Sequence, residues 1–567
     1  MTKIFAVALN LHDHNTYNGV WHNQRERFTR FKHNLPLKAD SYAHQEQLET
    51  GDYKLNNEFV NEYFKKPKEG ILSFSMTIGG IRMCKDILPG TVLDYKPKKL
   101  WDYCMADGMY FIDHHQSHAT YAFINSGFDK SDILAIDGIG YKHRCIFIDK
   151  DENIKDLSEE LPIGWLWNQM SKRTGFGSLG ASKLMGLVGY GKFSQYYYNV
   201  FETILDGVIR EKKYKTHELI NVEEYGIQDL AFTLQKFTND KIKEHIYPLK
   251  TCDNLCLAGG VIYNGYLNEE FTKHYKNVFV PPAVGDEGQA LGNYQHADYT
   301  LNNNKHITNT FGGKEYKFTG EEKVNYREVA QAIADGKIVG WFQGKSESGN
   351  RALGNRSILA DPRRKDIKEI INDTIKNRED FRPFAPAVLE EHYQEYFDTK
   401  SPSPYMSRIC KVKSDKVPGV THIDNTARIQ TVNRKFNGKF YNLINEFYKI
   451  TGIPMLLNTS FNCHEPIVET PQHALKTFYN TELDILVIND YVIRKENVYN
   501  NNIKRHHVRF YDMTNIPEKS LIDNILKQAH KLTPSKQNMV PYKISVLGPE
   551  RKKDKVKIWK KCIRNHK

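Results

Sequence analysis

The chain has 567 residues, 40% apolar and 26% charged, which excludes a disordered or fibrous protein and leaves room for about three or four domains. No uninterrupted apolar run approaches the roughly 18 residues of a membrane-spanning helix, and eight cysteines are too few for a disulfide scaffold. Residues 501–567 carry 17 Lys and Arg against 5 Asp and Glu, so the whole net charge of +12 belongs to them and the first 500 residues are neutral.

In chain order, Ile4–Leu9 reads as a first buried strand. It has neither the length nor the small-residue cleavage pattern of a secretory leader, and a reduced, cytosolic (cytoplasmic) protein is the expectation. Strand-like apolar runs follow at Met109–Ile112, Ile133–Ile136, Leu255–Ala258, Ile338–Phe342, Met455–Leu457 and Ile485–Ile488. Helical periodicity marks Ile227–Ile246, Val329–Ala334 and Pro471–Tyr479. The alternation predicts α/β architecture. Asn302–Lys317, rich in Asn, Thr, Gly and Lys, reads as a linker and places a domain boundary near 320. Asn500–Asn502 places another near 500.

The sharpest short motif is His114-His115-Gln116-Ser117-His118. If a helix starts there, His114 and His118 share a face and can bind one divalent metal. The plainer alternative is a polar helix start with solvated histidines. A zinc-protease reading fails, because His115 stands where the general-base Glu belongs. Asp137 ends a strand-like run and opens Asp137-Gly138-Ile139-Gly140. Asp286 lies in Pro281-Pro282-Ala283-Val284-Gly285-Asp286-Glu287-Gly288. Carboxylates at strand ends sit where ligands bind in α/β sheets, although Asp286 also suits a helix N-cap. Gly259 and Gly260, ahead of Asn264, end a strand and expose backbone N–H groups to a phosphate or nucleotide.

A second cluster runs through Arg351-Ala352-Leu353-Gly354-Asn355-Arg356, Lys376 to Arg382, His422 to Arg428, and Asn458-Thr459-Ser460. Guanidinium forks grip phosphate bidentately. Several of them in Gly- and Pro-restrained segments of a neutral body suggest more than surface ion pairs.

These motifs, in this order, resemble the NodU/TobZ-type O-carbamoyltransferases. Lys183-Leu184-Met185-Gly186-Leu187-Val188-Gly189-Tyr190-Gly191 and Glu26–His33 are similar to two further segments of that family, and the likeness covers about residues 1–495. It implies residues 1–320 as an actin-like ATPase domain (akin to the enzyme that threonylcarbamoylates tRNA), residues 321–500 as a YrdC-like domain, and residues 501–567 as a basic extension. It implies a divalent metal, Fe2+ foremost with Zn2+ or Mn2+ compatible, on His114, His118, Asp137 and Asp286. It also implies Mg2+ with ATP, and nucleotide contacts at Gly138, Lys183, Gly259, Gly260 and Asn264. The implied reaction makes carbamoyl adenylate from carbamoyl phosphate and ATP, then passes the carbamoyl group to an acceptor hydroxyl. Arg351, Arg356, Lys376, Arg382, Arg428, Asn458 and Ser460 would serve the first step, and His12 with Asp13, or else His14, the second. The chain departs from the family pattern at Ser348, Asn350 and Cys463-His464.

The acceptor is expected to be a hydroxymethylated pyrimidine nucleotide or a sugar. Rival readings are a kinase-like phosphotransferase on an actin fold, a tRNA threonylcarbamoylation enzyme, and a non-catalytic nucleotide-binding protein. The basic segment reads as a solvated terminus, or more sharply as a nucleic-acid docking segment.

Overall fold

A computed structural model describes residues 2–9, 14–17, 21–23, 70–77, 88, 90–138, 140, 142–177, 180–211, 220, 226–376, 378–463, 465 and 467–495. Within residues 1–495 the described residues form one unit; residues 496–567 lie outside the described residues, as do His12, Asp13 and the segment 26–33.

Among the described residues three sheets form. In the first, Ile4–Leu9 pairs antiparallel with His14–Tyr17, which pairs antiparallel with Trp21–Asn23. On its other side Ile4–Leu9 pairs parallel with Ile71–Met76, and that strand with Met109–Phe111. The second sheet repeats this order. Asp132–Ile136, Cys145–Ile148 and Ile154–Asp156 form an antiparallel meander, and Asn254–Ala258 then Asn277–Phe279 add in parallel beside Asp132–Ile136. A meander followed by parallel additions, used twice, is the duplicated plan that the expected actin-like fold requires. The third sheet is mixed, with ten strands between residues 322 and 494.

The apolar runs become strands because sheets covered on both faces demand it: Asp132–Ile136 and Ile485–Ile488 are buried throughout. Observed bounds follow the expected ones closely, as in Val339–Phe342, Ile227–His245 and Pro471–Asn480. Residues 303–321 hold no helix or strand. They are nevertheless tied down, with Thr308 N donating to Asn125 Oδ1 at 2.9 Å and Gly313 N to the Ser346 carbonyl at 3.1 Å.

The helix that opens on the histidine motif spans His114–Ser126. Asp113 caps it in a reciprocal capping box with Gln116, and Gly127 closes it at φ 70°. The helix Gln289–Asn302 lies against it. Ser117 Oγ donates to the Gln289 carbonyl at 2.9 Å, and Gln289 Nε2 to the His114 carbonyl at 2.9 Å. A Cβ at Gly292 would stand 2.1 Å from the Ser117 carbonyl oxygen, so only glycine allows this approach. Two helices are thereby fixed with the histidines at the edge of the first sheet and the aspartates at the edge of the second.

Candidate functional site

The cap at Asp113 sets where the helix begins, and so puts His114 and His118 one turn apart on one face. Both are buried. Asp137 follows the strand Asp132–Ile136, and Asp286 opens the short turn Asp286–Gly288. The four side chains converge. His118 Nε2 lies 3.3 Å from Asp137 Oδ2 and 3.3 Å from Asp286 Oδ1. His114 Nε2 lies 3.7 Å and 3.3 Å from the same two atoms. One ligand atom from each falls within 4.8 Å of all the others. Asp137 Oδ2 is buried with the two imidazole nitrogens as its polar neighbours, an expensive arrangement for a carboxylate unless a cation or proton faces it. Burial alone would drive His114 toward neutrality, but Asp286 and Asp137 hold its pKa up to about 10. Asp286 is held down to about 2: burial opposes ionisation, and His114 outweighs it. Two carboxylates that demand positive charge, set against two imidazole nitrogens, fit a divalent metal.

Asp137 and Asp286 also line a cavity of about 1100 Å³. Its far wall comes from the third sheet and its loops: Arg351, Lys376, Arg378, Arg382, Arg428 and Ser460. The guanidinium groups stand half-buried; Arg378 Nε donates to Asn372 Oδ1 at 2.9 Å, and Arg382 Nη1 lies 3.6 Å from Glu379 Oε2. Arg428 Nη1 reaches only the carbonyls of Tyr263 and Met406, both at 3.3 Å. Withdrawal from solvent lowers its pKa well below normal, with Arg351 adding to the fall. Arg351 is lowered to about 10 by burial and by Arg382, against a partial rescue from Glu287. Arg378 is lowered to about 9 by burial and Arg382. Lys376 is held by Ser460 and Asn462, its Nζ 2.5 Å from the Ser460 carbonyl and 2.7 Å from Asn462 Oδ1. Cations crowded together this way are stabilised by an anion.

Gly138, Gly260, Asn264 and Lys183 line the cavity as well. Lys183 Nζ meets Glu379 Oε1 at 2.6 Å and so joins the helix Ala181–Gly186 to the arginine-bearing loop.

Three expected site residues are placed elsewhere. Arg356 is fully buried and does not line the cavity. Its guanidinium stacks 3.5 Å from the Phe342 ring centroid and donates to the carbonyls of Gln343, Asn355 and Gly344. Asn458 sits deeper on the strand Met455–Ser460, donating to the Ala352 carbonyl and to Gln430 Oε1. Gly259, at φ 93°, packs on the Ile136 carbonyl behind Gly260. Arg356 and Asn458 brace the wall from behind. His14 begins a strand paired with Leu9, its side chain outside the description. Arg378, His422 and Asp424 fall inside the sequence runs Lys376 to Arg382 and His422 to Arg428, which assign them no role of their own. The first two line the cavity, and their signal was proximity to Arg382 and Arg428.

The carbamoyltransferase N-terminus family matches residues 22–294 and the carbamoyltransferase C-terminus family residues 330–495. The chain belongs to the carbamoyltransferase family. It is 35% identical over 438 residues to nodulation protein NolNO of Sinorhizobium fredii, covering 68% of this chain and 64% of that one. It is 31% identical over 572 residues to an uncharacterised protein of Synechocystis sp., covering 83% and 92%. Nodulation protein NolO of Bradyrhizobium diazoefficiens is 33% identical over 437 residues, covering 68% and 79%. Both halves of the carbamoyltransferase cavity, the His/Asp cluster and the arginine wall, fall within the matched segments. No described helix of this carbamoyltransferase is long and apolar enough to cross a membrane.

Proposed function

We propose that this carbamoyltransferase works in two steps within the one cavity. Carbamoyl phosphate, ATP and water give carbamoyl adenylate, phosphate and pyrophosphate; the carbamoyl group then moves to an acceptor hydroxyl and AMP leaves. The observation that carries this reading is a single 1100 Å³ cavity with a cation-demanding carboxylate pair at one end and crowded guanidinium groups at the other. Carbamate is a poor electrophile, and adenylation supplies the leaving group that a hydroxyl can displace.

In this reading Arg351, Arg378, Arg382 and Arg428 neutralise phosphate charge as it builds. Lys376 and Ser460, fixed together, orient one phosphate, and Mg2+ accompanies ATP. Gly138, Gly260, Asn264 and Lys183 hold the nucleotide. His114, His118, Asp137 and Asp286 hold a divalent metal. Iron is the reading from family resemblance, and the ligand set suits zinc or manganese equally. When bound there, the metal would supply Lewis-acid stabilisation of negative charge. His12, or His14, takes the acceptor proton. The acceptor is a small hydroxyl compound, with a hydroxymethylated pyrimidine nucleotide and a sugar as the two candidates. Residues 1–320 and 321–500 are taken as the two catalytic domains, the second YrdC-like, in a cytoplasmic protein whose basic extension is dispensable for chemistry.

The test supplies labelled ATP with and without carbamoyl phosphate, together with candidate acceptors. AMP and pyrophosphate that depend on carbamoyl phosphate are expected; ADP as the product would sink the assignment.

A further inference from the structure

The stoichiometry above consumes one water, because the oxygen joining carbon to the adenylate phosphorus is not supplied unless carbamoyl phosphate is first opened. Opening it by attack at carbon needs a base. Among the described residues that line the cavity, the carboxylate and imidazole side chains are those of Asp137, Asp286, Glu287, Glu379 and His422. Asp137 and Asp286 face the imidazole pair. Glu287 accepts from the Tyr263 hydroxyl and from Gly285 N. Glu379 is bound to Lys183. The guanidinium and ammonium groups of the wall donate and cannot accept a proton.

His422 differs from all of these. It is 8% exposed, and its Nε2 is buried without a hydrogen-bond partner. Its Nδ1 lies 3.2 Å from Asp424 Oδ1. Asp424 is itself anchored. It accepts from the Tyr266 hydroxyl at 2.8 Å, from Thr426 Oγ1 at 2.6 Å and from Thr426 N at 3.2 Å. The turn is tight, with His422 N donating to the Thr426 carbonyl at 2.8 Å and Asn425 at φ 58°. A carboxylate on Nδ1 fixes the proton there and leaves the Nε2 lone pair as an acceptor. On the other side, a Cβ at Gly189 would come within 2.9 Å of the His422 ring, so the ring is confined.

We propose that His422, oriented by Asp424, is the base that activates the water opening carbamoyl phosphate. Nε2 takes one proton from water as its oxygen bonds the carbamoyl carbon. The bond from that carbon to the phosphate oxygen breaks, and phosphate leaves with the electron pair. Carbamic acid remains beside the guanidinium groups, ready to attack the α-phosphorus of ATP and release pyrophosphate. The proposal rests on the carbamoyl-adenylate reading.

The experiment measures pyrophosphate–ATP exchange by the full chain, once with carbamoyl phosphate and once with carbamate supplied as ammonia plus bicarbonate. His422→Gln should lower the first exchange by about 10²–10⁴-fold and keep the second close to the parent rate. Asp424→Asn should show the same split with a smaller loss. Equal losses in both arms for both variants, or no loss in the carbamoyl phosphate arm, overturns the proposal. A parent chain that exchanges with neither compound overturns the adenylate reading itself.

Discussion

The two ends of the cavity solve opposite electrostatic problems. At one end His114 and His118 meet Asp137 and Asp286 within hydrogen-bonding reach, so opposite charges already face one another. At the other, burial first and a neighbouring guanidinium second, Arg382 for Arg351 and Arg378 and Arg351 for Arg428, push the charge of all three toward neutrality, against a partial rescue from Glu287 and Glu379. The first end is a compact cage with four converging ligand atoms. The second is a broad wall built from separate loops of the third sheet. The cage therefore suits one small cation, whereas the wall suits a larger anion with several phosphates.

Removing the cage should have the largest effect. His114→Ala with His118→Ala should abolish metal content and lower carbamoyl transfer by about 10³-fold or more, with adenylate formation retained. Elemental analysis beside an exchange assay checks this. Next, Arg351→Ala should lower adenylate formation by about 10²–10³-fold while metal content stays at the parent value. A metal loss in that variant would show that the ends are not separate. Arg356→Ala should behave as a structural change. It removes the buried donors to the carbonyls of Gln343, Asn355 and Gly344 and a stacked guanidinium, so it should cost on the order of 2–4 kcal/mol in stability, read by denaturant unfolding. The affinity of the remaining folded protein for carbamoyl phosphate should not change. The smallest effect belongs to Asp113→Ala, which removes the cap beneath the histidine pair. About 1 kcal/mol of stability should go, with a matching weakening of metal retention measured by chelator competition.

Much of this was legible in the sequence for a physical reason. Strands buried on both faces read as apolar runs, and ligands collect at their ends, so Asp137 and the histidine motif stood out. Direction was not legible. Arg351 and Arg356 look alike on the page, five apart among glycines. The strand Arg356–Ala360 begins at Arg356, opposite Phe342, and turns that guanidinium onto carbonyls instead of the cavity. Asn458 and Ser460 share a strand face, yet depth separates them: Ser460 reaches the cavity and Asn458 braces what lies beneath. His422 and Asp424 join through a turn with a left-handed Asn425, and no spacing rule marks such a pair. The expectations placed on His12, Asp13, the segment 26–33 and residues 501–567 lie outside the described residues.

The division of labour between cage and wall is tested most directly by one side-by-side measurement. Pyrophosphate–ATP exchange with carbamoyl phosphate is followed in the parent chain, in His114→Ala/His118→Ala and in Arg351→Ala. Exchange is expected in the parent and in the histidine variant, with its loss in the arginine variant alone. Exchange that vanishes with the histidines and survives without Arg351 would contradict that division of labour.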